Sequence, residues 1–407
     1  MSSAAQFSWD EMVLLDDLVS SGEVKLGRGN VISKIDIRNN PGTYPIYSSS
    51  SKNQGKMGEY GSFMFDEELI SWSVDGGGYV FYRPKHKFSV TNVSGYMKLA
   101  GEWDYKFVAY VLQFQHEYFS FDYQTKAHPS VIREFYLFPR IPLAEQQKIA
   151  AILSSVDDVI EKTRAQIDKL KDLKTGMMQE LLTKGIGHTA FKDSPVGRIP
   201  EGWLIREVQD ILEDIIDYRG KSPPKSEKGI PLITAKNIRQ GYIDAEPREF
   251  IFEEQYESWM VRGTPKEGDV FITTEAPLGN VAKVPGYKFA IGQRVLALSP
   301  SSIVDTDYLL YVMQGRYFRE QLDLQSTGST VAGIKQSTFR KILLAVPPLE
   351  EQKEIVKPMN ALVEREELST KKLDSLLKLK KALMQDLLTG KVRVNVDNNH
   401  LEERVAV

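Results

Sequence analysis

Apolar residues recur along two stretches of the chain at alternating steps of three and four. From Ile149 they fall at Leu153, Val156, Ile160, Ile167, Leu170, Met177 and Leu181, and from Ile355 at Met359, Leu362, Leu373, Leu376, Leu383 and Leu387. This is heptad spacing, a coiled-coil seam whose opposite half must come from another helix. The interruptions coincide as well: Thr163 and Lys174 in the first stretch match Ser369 and Lys380 in the second. Polar seam residues lower stability but select register and partner. Each stretch opens at proline, Ile141-Pro142 or Pro347-Pro348, then Glu145 or Glu351, and closes at Lys184-Gly185 or Gly390. Proline and acid suit a helix start, and glycine its end. Pro358 is expected to kink the second helix or delay its regular start. At 1.5 Å per residue, about 40 residues make a rod of roughly 60 Å, too long for one compact domain.

The two stretches are copies. PLAEQQKI at Pro142 to Ile149 returns as PLEEQKEI at Pro348 to Ile355, and MQELLT at Met178 to Thr183 returns as MQDLLT at Met384 to Thr389, both displaced by the same 206 residues. No insertion separates them, so one element has been duplicated whole. The first rod leads from one half of the chain to the next and the second starts from that next half, so an antiparallel pair within the chain returns it toward its origin. A coiled coil between two copies of the chain is the alternative.

The remaining segments are richer in aromatic and β-branched residues and punctuated by glycine and proline, which predicts mixed α/β modules. Strands are expected at LISWSV (Leu69 to Val74), YVFYR (Tyr79 to Arg83), DVFITT (Asp269 to Thr274) and RVLALS (Arg294 to Ser299), with a helix at DYKFVAYVLQFQ and another at DYLLYVMQGRYF. The order of features corresponds although the sequences differ. Trp9, Leu14 and Asp16 align with Trp203, Val208 and Asp210, GTYPIYSSS with GIPLITAKN, and QTKAHPS with QSTGSTVAGIKQS. The predicted organisation is a module over 1–140, a helical spacer over 141–187, a second module over 188–345, a second spacer over 346–394 and a tail over 395–407.

The 407 residues carry a net charge of −3 and no cysteine, so disulfides and thiolate metal sites are excluded. No targeting segment or long apolar run stands out, and a soluble cytoplasmic protein is expected. Overall acidity counts against nucleic acid, but the charge is uneven. Lys25, Arg28, Lys34, Arg38, Lys52 and Lys56 face only Asp36 between positions 25 and 56, and Arg219, Lys221, Lys225, Lys228, Lys236 and Arg239 face only Glu227. The two basic runs sit early in their respective halves.

Catalytic constellations are absent. GKS at Gly220 to Ser222 has Ile215 where a phosphate loop needs glycine. DGGGYV and GRGN read as turns. SPPK and VPPL lack the preceding Asp or Asn and the following aromatic with which an adenine methyltransferase holds its base. His86, His116, His128, His188 and His400 show no metal-binding spacing. Binding must then explain the duplication. Two modules on a stiff spacer suit two separated stretches of duplex, much as dimeric DNA binders set half-site spacing. Affinity is expected from Lys and Arg on phosphates and discrimination from side chains at base edges. The candidates are Tyr47, Ser48, Lys52, Asn53, Gln54, Lys56, Arg83, Lys85, Lys87, Gln124 and Lys126 in the first half, and Lys221, Lys225, Lys236, Asn237, Arg239, Thr274, Arg294, Thr330, Lys335 and Gln336 in the second.

PLAEQQKIAAIL, MMQELLTKGIG, IPEGW at Ile199 to Trp203, PPLEEQKEI and MQDLLTGKVRV, at this spacing, resemble the specificity subunit of a type I restriction and modification system across essentially the whole chain. FSWDEM stands where the first half would have an IPEGW-like start. The resemblance implies two target recognition domains separated by two helical conserved regions and no activity in the subunit alone. It implies double-stranded DNA, two methyltransferase subunits and restriction and translocase subunits as partners. S-adenosylmethionine, ATP and Mg2+ would belong to those partners, with no cofactor or metal in this chain. Two rivals remain: an adaptor whose coiled coil joins proteins, and a DNA-binding regulator without restriction partners.

Overall fold

A computed structural model describes residues 7–50, 52–75, 79–119, 121, 126–218, 222–328 and 331–396. The chain divides into two compact units, Met1–Ala165 with Lys371–Val407, and Gln166–Thr370. The fold is mixed α/β, with one arrangement built twice. Two long helices, Leu143–Lys184 and Leu349–Leu388, each pass from one unit into the other.

In the first unit a six-stranded sheet runs in the order Val24–Arg28, Ser94–Leu99, Phe65–Ser73, Val80–Val90, Tyr44–Tyr47, Lys56–Tyr60. Pairing is antiparallel except where Tyr44–Tyr47 runs parallel to Val80–Val90. The second unit repeats the path in two sheets. One is antiparallel, in the order Leu212–Asp217, Val295–Pro300, Val270–Thr274, Leu278–Lys283; the other places Ile230–Ile233 between Phe250–Ile251 and a parallel Ala290–Ile291. The long strand Val80–Val90 thus does in one piece what Leu278–Lys283 and Ala290–Ile291 do in two. After each sheet come a helix, Tyr105–His116 or Thr306–Gln314, and a short strand, Leu137–Pro139 or Leu343–Val346, that pairs with an early strand of its own module, Met12–Leu14 or Leu204–Glu207. DYLLYVMQGRYF is two helices rather than one, because the chain turns extended at Gly315 before Arg316–Gln325.

Within the first unit the beginning of one long helix lies antiparallel to the end of the other. Ile149, Leu153, Met384, Leu387 and Leu388 share a core with Trp9, Trp72 and Phe107, and Lys380 is 2.6 Å from Asp157. Within the second unit the reciprocal ends do the same, with Leu182, Ile355 and Met359 packed among Trp203, Leu309 and Phe318. Ile149, Leu153, Ile160, Ile167, Leu170, Ile355, Met359 and Leu387 are buried; Val156, Met177, Leu181, Leu362, Leu373, Leu376 and Leu383 are partly buried. Leu182, Met384 and Leu388 are buried too, off the predicted stripe. Near the helix ends a module supplies a second apolar wall, so the stripe widens beyond a coiled-coil seam. The buried hydroxyls of Thr163 and Ser369 donate to Val159 O and Arg365 O one turn back. Pro358 lies inside the second helix, which already begins at Leu349, so its start is not delayed. Gly185 and Gly390, just past the two ends, take left-handed φ values of 63° and 79°, as helix-terminating glycines do. Among the described residues, no helix is long and apolar enough to cross a membrane.

Candidate nucleic-acid interface

In both modules the loop that precedes a long helix docks on the exit of the same sheet strand. Ala127 N donates to Val74 O in the first, and Ile334 N donates to Thr274 O in the second. Around each docking point the chain gathers polar loops.

In the first module, Tyr47 O accepts from Thr91 N, Val93 O from Val74 N, and Val74 O from Ala127 N, so backbone bonds link the exits of three strands to the pre-helix loop. Ser48 Oγ accepts from Thr91 Oγ1, and Lys126 pairs with Asp75 at 2.9 Å. The loop after Tyr47 is closed by Ser48 N donating to Gly55 O, and it carries Lys52, Asn53 and Gln54 exposed. Asn53 and Gln54 hold φ of 49° and 50°, the left-handed region that side chains other than glycine seldom occupy. Arg83 is only 2% exposed. Its guanidinium lies 3.7 Å from the centre of the Tyr47 ring, donates to Ser71 Oγ at 2.9 Å and to Gln54 O at 2.8 Å. Burial pulls its pKa down to about 10, opposed by the Tyr47 phenol. Lys56 is held by Glu59, whose carboxylate raises its pKa. Lys85 is exposed, and Lys87 lies over the Phe63 ring.

In the second module, Glu275 bridges to Gly333, Arg294 reaches Glu275 at 3.3 Å, and Gln293 hydrogen-bonds Ser222. Thr274, Arg294, Lys335 and Gln336 therefore converge, and Ala276 and Arg294 again take left-handed φ values, 48° and 68°. Thr274 itself is buried. Lys225 is paired with Glu249 and Arg239 with Asp244, while Lys236 is exposed. Asn237 is buried: its Oδ1 accepts from Thr234 N and Oγ1, and its Nδ2 donates to Asp244 O and Pro247 O. Its amide shapes the loop rather than facing outward. Gln124, Lys221 and Thr330, with Arg219 and His400, lie outside the described residues.

The sequence reading missed Ser71, Thr91, Asp75, Glu275 and Gln293, which connect these loops. No local signal marks them, because each acts on a residue distant in sequence. Among the described residues, no group of three or more His, Asp or Glu could hold a metal ion.

The family model described as the type I restriction modification DNA specificity domain matches residues 11–172 and again 200–378. The chain is 34% identical to the putative type I restriction enzyme MjaX specificity subunit of Methanocaldococcus jannaschii over 63% of its own length and 59% of that protein's. It is 28% identical to the MjaVIII specificity subunit of the same organism, over 80% and 79% of the two chains. The chain thus spans less than two thirds of the first of these relatives and more of the second. Its fold is similar to the crystal structure of the S subunit of a type I restriction-modification system from M. genitalium, with a TM-score of 0.60 at 16% identity, covering 94% of this chain and 96% of the other. With its two halves matched in turn over most of their length, the chain belongs to the type I restriction modification DNA specificity family.

Proposed function

We propose that this chain is the DNA-recognition subunit of a type I restriction and modification enzyme, and that it reads a bipartite, asymmetric target. The observation that carries the reading is one frame repeated around two unlike loop surfaces. Residues 1–140 would read one half-site and 188–345 the other, while the spacers over 141–187 and 346–394 set the gap. Lys52, Lys85, Lys87, Lys126, Lys236, Arg294 and Lys335 supply cations for phosphates, and Asn53, Gln54 and Gln336 supply amides for base edges. Arg83, Thr274 and Asn237 act from beneath by shaping the loops.

In this reading the chain is non-catalytic. Two methyltransferase subunits carry S-adenosylmethionine, and restriction subunits carry ATP and Mg2+. The faces of the long helices outside the seam are the docking platform, since they present mixed charges such as Lys148, Glu161, Lys162, Glu364 and Lys372. Selection of random duplex by the purified complex, followed by sequencing, tests this directly. A bipartite motif with a fixed unspecified gap is expected. A contiguous or palindromic motif would instead mark a regulator, and no enrichment an adaptor. Deleting residues 150–180 should abolish co-purification with the methyltransferase subunit; unchanged assembly would refute the docking assignment.

A further inference from the structure

The first module holds two adjacent left-handed residues, neither of them glycine, at the tip of an exposed loop. Asn53 has φ 49° and ψ 41°, Gln54 φ 50° and ψ 32°, and Gly55 follows at φ 80°. Asn visits this region through its short polar side chain, but Gln has no such excuse. Strained backbone persists only where its surroundings over-determine it, and it concentrates at sites that contact ligands. Here the determining group is Arg83. Its guanidinium lies over the ring of Tyr47, at 3.7 Å, and near that of Phe81, at 4.6 Å, is anchored on Ser71, and donates to Gln54 O. A Cβ at Gly55 would approach Ser48 O to 2.9 Å and Arg83 Nη2 to 3.2 Å, so the loop is also seated close to the sheet. The carbonyl of Gln54 is thereby turned inward, and both side-chain amides stand on the exposed surface.

We propose that Arg83 is a positioning residue that holds this left-handed turn so that the Asn53 and Gln54 amides read adenine in the half-site contacted by the first module. The inference rests on the DNA-recognition reading above. An amide carries one donor and one acceptor side by side, the complement of adenine N6–H and N7 in the major groove. A loop built only to grip phosphate would present cations or backbone N–H groups at its tip. Lys52, one residue before the pair, is placed for that second task.

The test uses the complex assembled with its methyltransferase subunits, selecting from random duplex. If the unaltered complex yields no bipartite motif, the bipartite-recognition reading and this inference fall together. Given a bipartite motif, the double variant Asn53→Gly, Gln54→Gly separates them. Glycine adopts the turn without strain, so the melting temperature should not fall. Adenine preference at one or two positions of one half-site should drop about ten-fold, with the other half-site unchanged. An unaltered motif overturns the inference while leaving the parent reading intact. Arg83→Met should lose preference at the same positions and add nothing in the glycine background. A uniform loss of affinity with adenine preference kept would instead make Arg83 a purely structural or phosphate-directed group. Should Arg83→Met not fold, Tyr47→Leu, which removes the ring beneath the guanidinium, takes its place with the same two outcomes.

Discussion

Gln146 and Gln352, 206 positions apart, make the same three hydrogen bonds in their respective units. Gln146 Oε1 accepts from Asp104 N at 2.9 Å, and its Nε2 donates to Glu102 O and Ile141 O. Gln352 Oε1 accepts from Asp305 N at 2.8 Å, and its Nε2 donates to Ile303 O and Pro347 O. Asp104 and Asp305 are in turn the N-caps of the helices Tyr105–His116 and Thr306–Gln314. One glutamine per unit therefore ties the first turn of a long helix to the start of a module helix. The short motif EQ at each rod's beginning is written twice because this joint is needed twice.

Replacing either glutamine, whose side chain is itself buried, with alanine removes three hydrogen bonds to backbone groups that are mostly partly buried. At roughly 0.5–1.5 kcal/mol per bond, Gln146→Ala or Gln352→Ala should each cost about 2–4 kcal/mol. Thermal or denaturant unfolding checks this, and the two losses should be similar in size.

The neighbouring glutamates are joined differently. Glu145, 4% exposed, takes a two-pronged contact from Arg393 at 2.8 and 2.7 Å, whereas Glu351 accepts from Trp203 Nε1 at 3.0 Å and lies 2.7 Å from His188 Nε2. Arg393→Ala strands a buried carboxylate and should destabilise by about 2 kcal/mol, since bonds to charged groups contribute roughly 1.5–3. Adding Glu145→Gln, which removes the stranded charge, should restore part of that loss in the same unfolding assay.

His116 is buried, stacks on Phe121 and hydrogen-bonds the Tyr136 hydroxyl through Nδ1. Burial depresses its pKa to about 4, against the ordinary value of 6.5. The unfolded chain then binds this proton more readily than the folded one, so acid favours unfolding. Stability from this site is complete above about pH 6.5 and lost as pH falls toward 4, by up to about 3 kcal/mol. Unfolding measured across that window should show the slope, and His116→Gln should flatten it.

If the rods set the gap between half-sites, removing one heptad from each, residues 161–167 and 367–373, keeps the seam in register while shortening both. Sequencing of selected DNA should then find two unchanged half-sites with a smaller gap. A change in half-site sequence would count against the separation of spacer from reader.

Local periodicity was enough to delineate the two long helices, their glycine ends, their duplication and the paired order of module features, because helix seams and caps are written within a few residues of one another. The antiparallel pairing within one chain also followed from connectivity. What the sequence could not reveal was which polar candidates face outward. Arg83, Thr274 and Asn237 look like surface residues in the string, yet they are buried, two of them with their donors spent on the loops above them. The basic runs look unopposed, yet Glu59, Asp244 and Glu249 stand against Lys56, Arg239 and Lys225. Burial depends on residues brought together by strand order, as does the Lys225–Glu249 pair, whose partners are 24 positions apart; Glu59 and Asp244 lie close in sequence to Lys56 and Arg239 but just beyond the ends of the basic runs. The left-handed turn at Asn53 and Gln54 belongs to the same class: its conformation is imposed by an arginine some thirty residues away in sequence and in direct contact in space.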